Sequence, residues 1–378
     1  MKKSIECLRT WIEVDTKALA RNYRAFRKLI GPKVKLMSVV KSNAYGHGLI
    51  DFSKLMVELG VDWLGVDSIV EAVALRRAGI KKNILVLGYT RPINFPLALQ
   101  HHIVVTISSL ESLQKLLEMS RPPQLQLKID TGMHRQGFIL SDLAKALDLL
   151  GQPQARLVRS QIVGVYSHLA AASSQVHASA TNHQLSTFEK ALEMLEQAGF
   201  SRESLIKHLA ATGGVIAYSK ARYDLVRVGL GMYGLWPSLE WKQKFESKIK
   251  LGSALTWETI ISEIKILDSG GGVGYNFIEQ VKSRTKLAVC PIGYWHGYPR
   301  ILSSLGEVLV RKVRAKVVGR VSMDMIVIDV TFVRGIKVGD VVTLIGEKIP
   351  AERLATFAHT SPYEIITRLN PLIQKFYR

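Results

Sequence analysis

The sequence predicts an α/β fold, an N-terminal (β/α)8 barrel of the TIM type followed by a mostly β C-terminal domain. Short apolar runs alternate with longer helical patterns from residue 15 to about residue 235. Eight such units in that span match the count a barrel of this kind needs. After LWPSLEWKQKF the texture changes to β-rich segments separated by Gly and Asp turns. The barrel is expected over residues 12–238, with residues 1–11 and 239–378 forming the β domain.

The eight runs fall at 34–40, 62–66, 84–88, 103–107, 124–129, 161–166, 205–209 and 224–228. Between them, segments such as IDFSKLMVELG, DSIVEAVALRRAG, SLESLQKLLEMS and HQLSTFEKALEMLEQAGF place apolar residues at three- and four-residue intervals and often end in Gly, as amphipathic helices do. In the second domain LTWETIISEIKIL, TKLAVCPIGY, EVLVRKVRAKVVG, MIVIDV and DVVTLIG are almost without helical periodicity and read as strands. AERLATFAHT is the last helix-like piece, and SPYEIITRLN follows it.

Composition narrows the function. With 47% hydrophobic and 22% charged residues among 378, the chain can bury large cores and is not a disordered one. No run approaches the ~18 apolar residues of a membrane span, and Glu6, Arg9 and Glu13 interrupt the apolar core that a signal peptide needs. A cytoplasmic location without a membrane partner is expected. Cys7 and Cys290 are too few and too far apart for a disulfide framework or a cysteine-based zinc site. The net charge of +20 is scattered over helical polar faces and not gathered in a stripe interleaved with aromatics. It speaks for solubility or attraction of anionic metabolites and against nucleic acid.

Chemistry in a barrel sits on the loops beyond the carboxyl ends of the strands. Lys41 follows the first run in VVKSNAYGHG, KIDTGMHR ends the fifth with Lys128 and Arg135, and His168 ends the sixth. Thr212-Gly213-Gly214 follow the seventh, and Arg227 to Leu230 end the eighth. A lone lysine at such a point marks where a strand meets water. Among other cations a lysine gives up its proton more easily and becomes a nucleophile toward a carbonyl carbon. Thr212 with two glycines at a helix start, and the Gly229 region in the next loop, offer backbone N–H groups to an anion where this fold favours phosphate. An imine-forming lysine beside a phosphate cradle suggests pyridoxal phosphate.

Plainer readings stand beside these. Gly213-Gly214 also fits a tight turn before a helix, and Met323-Asp324 a turn after RAKVVGRV. In SGGGVGYNF the glycines fit a hairpin, with Tyr275 an ordinary strand aromatic. GGGVGY brushes against a dinucleotide fingerprint, but β-type sequence follows it where a helix is required. His168, His177, His183 and His208 have no carboxylate or cysteine spacing to support a metal site, and none is expected.

Taken in order, VVKSNAYGHG, KIDTGMHRQGF, HLA, VRVGLGMYGL, VGYNF, PIGYWHGYPR, GRVSMDM and SPYEI resemble alanine racemase, a fold-type III pyridoxal phosphate enzyme, from Thr16 to about Tyr377. The resemblance implies that Lys41 bonds the cofactor and serves as one catalytic base. It implies that Tyr45, Thr212, Gly229, Leu230 and Tyr363 hold the phosphate, that His168 packs on the cofactor ring and that Arg227 bonds the pyridine nitrogen. Arg135 would lie near the phenolic oxygen, positioned by Lys128, which many relatives carry as a carbamate. Tyr275 would be the second base, supplied by the other subunit of a homodimer, with Met323 and Asp324 of the same neighbouring chain binding the substrate carboxylate. Two bases suit racemisation, since a proton leaves one face of a planar carbanion and another returns on the opposite face. The implied activity is interconversion of L- and D-alanine for peptidoglycan.

Some positions depart from the family's usual pattern. Trp295-His296 stand where a small residue and a carboxylate are usual, Ala211 where an asparagine is, His134 where a glycine is, and Ser322 where a cysteine is. Another amino acid, serine or lysine, is therefore an alternative substrate. Fold-type III decarboxylases share the architecture but use a C-terminal-domain cysteine near the substrate, whereas Cys290 lies in a strand-like run. Pyridoxal phosphate carrier proteins lack the second domain, which here occupies roughly 140 residues.

Overall fold

The computed structural model describes residues 5–172 and 177–378. After β1 (Thr10–Val14), eight strands alternate with helices: β2 (Lys35–Val39), β3 (Trp63–Val66), β4 (Asn83–Val86), β5 (Val104–Ile107), β6 (Leu125–Lys128), β7 (Ile162–Tyr166), β8 (Ile206–His208) and β9 (Leu225–Val228). Seven of the eight expected runs contain one of them, and the remaining run, 84–88, overlaps β4, which begins one residue earlier. They pair in parallel in the order β8-β7-β6-β5-β4-β3-β2-β9. Between β8 and β9 the ring is drawn together by the amide of Asp224 donating to the Lys207 carbonyl at 3.1 Å and that of Arg227 donating to the Ala210 carbonyl at 3.0 Å. The expected (β/α)8 barrel is present.

Alternation along the strands sorts side chains between two cores. Met37, Trp63, Leu85, Val104, Tyr166 and Leu225 form one buried cluster with a side chain from each of six barrel strands. The larger core lies between strands and helices and includes the fully buried rings of Phe26, Phe52, Phe95 and Phe188. Helix starts follow capping chemistry: Asp15 accepts from the Ala18 amide at 2.8 Å, and Ser68 accepts from the Glu71 amide at 3.3 Å.

The second domain contains β10 (Leu255–Ile260), β11 (Glu263–Leu267), β12 (Gly272–Val273), β13 (Glu279–Gln280), β14 (Thr285–Cys290), β15 (Glu307–Val310), β16 (Val313–Lys316), β17 (Ile326–Asp329), β18 (Val341–Ile345) and β19 (Lys375–Tyr377). One sheet runs β16-β15-β18-β10-β1-β19, a second β11-β14-β17, and β12 pairs with β13 as a ribbon. Strand β1 lies antiparallel to β10 and parallel to β19, and it runs across residues 11 and 12, where the sequence suggests the division between domains. The apolar side chains of Trp11, Ile12 and Val14 hold it there by burial, and Trp257 Nε1 donates to Thr10 Oγ1 at 2.8 Å.

Between the domains, the buried Asn22 amide acts as a pin. Its Nδ2 donates to the carbonyls of Met232 and Gly252 at 3.1 and 2.9 Å, and its Oδ1 accepts from the Gly252 amide at 2.9 Å. Asn22→Ala strands these buried backbone groups without adding burial, at ~1–3 kcal/mol for each group left unsatisfied. Denaturant unfolding is expected to show a loss of about 3 kcal/mol.

Candidate active site

Beyond the carboxyl ends of the barrel strands opens a cavity of about 950 Å³. Lys41, Tyr45, Lys128, Arg135, His168, Thr212, Arg227, Gly229, Leu230 and Tyr363 all line it. Ten of the predicted site residues, drawn from five loops and the second domain, are thus brought together. Among the described lining residues, Asp67 is the one acid against four cations.

Lys41 enters from β2 through an unusual turn. Ser42, Asn43, Ala44 and Tyr45 have φ of 55°, 57°, 49° and 51°, a run of left-handed residues none of which is glycine. Such a conformation costs ~1–2 kcal/mol per residue. Asn43 Oδ1 accepts from the Leu49 amide at 2.9 Å, and the buried His47 ring donates from Nδ1 to the Tyr45 carbonyl at 3.0 Å. Glu71 accepts from the amides of Ser42 and Asp67 at 2.7 and 2.8 Å. At the start of this turn Lys41 Nζ donates to Asp67 Oδ1 at 2.9 Å.

Arg227 forms the fixed cation of the floor. It donates from Nη1 to His208 Nδ1 at 2.6 Å, and from Nη2 to His168 Nδ1 at 3.1 Å and to the carbonyls of Ser167 and Leu209 at 2.7 and 3.0 Å. Arginine cannot accept, so both rings present a lone pair at Nδ1 and are neutral. Burial, reinforced by the neighbouring guanidinium, pushes His168 down to about 3 and His208 well below the ordinary range. Nε2 of His208 then donates to Gln126 Oε1 at 2.6 Å, and its ring stacks on Tyr166 with centroids 4.6 Å apart.

Lys128 is buried on the same floor and donates to Gln136 Oε1 at 2.8 Å. Burial first, then Arg227, Arg135 and Lys41, lower its pKa to about 8. Beside it the carboxylate of Asp130 accepts from the amides of Gly132, Met133 and His134 at 2.9, 3.0 and 3.0 Å, shaping the loop that carries Arg135. His134, where the family pattern has glycine, sits at φ 54°.

At the opposite wall Thr212 Oγ1 accepts from the amides of Gly229 and Gly231 at 3.2 and 3.4 Å. The amides of Gly213 and Gly214, in the first turn of the helix Thr212–Ala217, have no carbonyl within that helix to bond. Burial raises the pKa of the Tyr45 phenol, keeping it a neutral donor, and its ring lies 5.9 Å from that of Tyr363. A Cβ on Gly229 would come within 2.7 Å of the Tyr45 hydroxyl, so glycine leaves room for this hydroxyl.

Tyr275, Met323 and Asp324 do not line this chain's cavity. Tyr275 sits in the turn Tyr275–Phe277 between β12 and β13, which is the hairpin that the glycines allow, and is 69% exposed. Met323 and Asp324 lie at an exposed bend, and the Ser322 and Met323 carbonyls accept from the amides of Tyr294 and Trp295, each at 3.0 Å. His177 and His183 are exposed and do not line the cavity. Among the described residues no cluster of three or more His, Cys, Asp or Glu side chains could hold a metal. Cys290 is buried in β14, and burial raises its thiol pKa, an unreactive setting.

Sequence reasoning missed Asp67, Glu71, Gln136 and His208 as parts of the site. Asp67 carried a usable signal, since it follows β3 as Lys41 follows β2.

A barrel with a lysine amine at its mouth, ringed by cations and anion-binding amides and joined to a β domain, defines an enzyme of the barrel-type class that works on small anionic substrates. The family model described as alanine racemase, N-terminal domain, matches residues 14–237, and that for the C-terminal domain matches residues 254–377. The chain belongs to the alanine racemase family. It is 38% identical to alanine racemase of Symbiobacterium thermophilum, covering 97% of both chains. Its fold is similar to the crystal structure of alanine racemase from D-cycloserine-producing Streptomyces lavendulae, with a TM-score of 0.90, 33% identity and coverage of 98% and 97% of the two chains. Alanine racemase from Bartonella henselae, with covalently bound pyridoxal phosphate, matches with a TM-score of 0.87, 27% identity and coverage of 98% and 100%.

The Lys128 environment has a consequence for stability. Lys128 loses its proton near pH 8 when folded and near 10.5 when free, so between these values the unfolded state holds more protons. Stability contributed by this residue therefore rises with pH across that window. Lys128→Met should flatten the rise, as measured by denaturant melts from pH 7.5 to 10.5.

Proposed function

We propose that the chain is a pyridoxal phosphate-dependent racemase that interconverts L- and D-alanine. The observation that carries this is the Lys41 amine facing one cavity with the Thr212, Tyr45 and Gly229 cradle and the fixed Arg227 cation. The residues fit the cofactor: neutral phenols at Tyr45 and Tyr363, first-turn amides at Gly213, Gly214 and Leu230, and the Thr212 hydroxyl suit a phosphate, while Lys41 suits the aldehyde. His168, neutral and half-buried, offers its ring face to the cofactor ring.

Bound there, pyridoxal phosphate supplies an electron sink that makes the α-proton of an attached amino acid removable. Arg227 can only donate hydrogen bonds, so it holds the pyridine nitrogen unprotonated and moderates that sink. Lys41 removes or returns the proton at the α-carbon on one face. On the other face Tyr275 from a second copy of the chain does the same, and its exposed position on the hairpin supports delivery to a neighbouring chain. Met323 and Asp324 of that copy receive the substrate carboxylate together with Arg135. A homodimer is further supported by the exposed Phe277, Ile278, Tyr294, Trp295 and Met325 in the same domain, a large apolar surface for a chain standing alone. Lys128, whose ammonium sheds one proton near pH 8, can then add carbon dioxide at the neutral amine and release a second proton as the carbamate forms, so that a cation becomes an anion that pairs with Arg135. No described helix is long and apolar enough to cross a membrane, and a cytoplasmic role supplying D-alanine for peptidoglycan fits this reading.

Lys41→Ala should abolish the covalent cofactor and its visible absorption. Tyr275→Phe should keep that absorption and slow racemisation of both enantiomers alike, by about 10²–10⁴-fold. The equality follows because the two enantiomers have the same free energy. Solvent deuterium should still enter the α-position of one enantiomer without inversion, read by mass spectrometry. Exchange into both enantiomers, or into neither, would contradict the two-base assignment.

A further inference from the structure

We propose that Glu71 is a positioning residue whose carboxylate clamps the left-handed turn after β2 and so aims the Lys41 amine. This rests on Lys41 as the cofactor-bearing lysine, and it adds the group that holds that lysine in place. Glu71 stands in the first turn of the helix Ile69–Arg77, which Ser68 caps. Its two oxygens are divided between two loops. Oε1 accepts from the amide of Ser42, the residue next to Lys41, at 2.7 Å, and Oε2 accepts from the amide of Asp67, the residue next to β3, at 2.8 Å. Asp67 in turn accepts from Lys41 Nζ at 2.9 Å. One carboxylate thus ties together both ends of the contact that the amine makes.

The clamp answers a conformational problem. Ser42, Asn43, Ala44 and Tyr45 all have positive φ, and none is a glycine that could hold such a turn without strain. A run of this kind persists only where surrounding contacts over-determine it. Glu71 supplies two charge-assisted hydrogen bonds at the edge of the run, aimed from a helix whose own first-turn dipole favours a carboxylate at that place. Glutamine cannot substitute, because its Nε2 would turn a donor toward one of the two amide donors.

The probe is pyridoxal phosphate added to the cofactor-stripped full-length chain, with capture followed by visible absorbance. Glu71→Gln is expected to slow capture by about tenfold or more and to change the visible circular dichroism of the bound cofactor. Adding Ser42→Gly should restore most of the rate, since glycine adopts positive φ freely. A Glu71→Gln chain that captures at the parental rate would overturn the proposal. So would a slow Glu71→Gln chain that Ser42→Gly fails to rescue, because the role would then be electrostatic. Hydrogen exchange on the parental chain gives a reading that needs no variant: the Ser42 amide, on an exposed residue, should be protected, and free exchange there refutes the clamp. Failure of the underlying function looks different, with Lys41→Ala capturing the probe as well as the parental chain does.

Discussion

Four cationic side chains, Lys41, Lys128, Arg135 and Arg227, face one cavity with a single acid, Asp67, among its described lining residues. Like charges gathered in a partly desolvated space repel, and the fold accommodates them through the partners it gives Lys41, Lys128 and Arg227. Lys41 has Asp67, Lys128 has the neutral Gln136 oxygen, and Arg227 has two histidine lone pairs and several carbonyls. These partners relieve the repulsion without cancelling the charge. The cavity keeps a surplus of positive potential, which is what a ligand with a phosphate and a carboxylate needs. Burial first, and this surplus second, set the protonation states: two neutral histidines beside Arg227 and a lysine lowered to about 8.

The parallel barrel is what concentrates these groups, since its strands all end at one rim and the loops after them meet there. Rigid strands deliver Lys128 and Arg227 from β6 and β9 as buried side chains. Lys41 stands between its strand and a strained turn, so its aim depends on contacts made by other elements. The β domain adds Tyr363 to the cavity wall and carries Tyr275 on an exposed hairpin outside that cavity. Burial of β1 between β10 and β19 and the Asn22 pin hold the two domains in fixed relation. A wall residue from one domain and a floor from the other can then form one site.

All eight barrel strands could be read from the sequence because each is a short apolar run bounded by amphipathic helix patterns. Positions after strands, such as Lys41 and Thr212, were legible because barrel topology makes any polar residue there a candidate. Other features were not. Ser, Ala and Tyr give no signal for positive φ, so the left-handed turn stayed hidden behind what reads as a glycine-containing loop. Glu71 reads as an ordinary acid in a helix's first turn, and its two backbone partners come from loops far apart in sequence. His208 reads as a strand residue, yet it orients Arg227 by a contact that depends on barrel geometry. The exposed tip of Tyr275 has no meaning within one chain, and its role was suggested by resemblance alone.

In the proposed function the Lys41 amine, and no other, bears the cofactor aldehyde. Borohydride reduction of the cofactor-loaded protein, followed by digestion and peptide mass mapping, tests it directly. A pyridoxyl phosphate adduct is expected on the peptide containing Lys41. An adduct on Lys128 or any other lysine, or none after reduction, would contradict it.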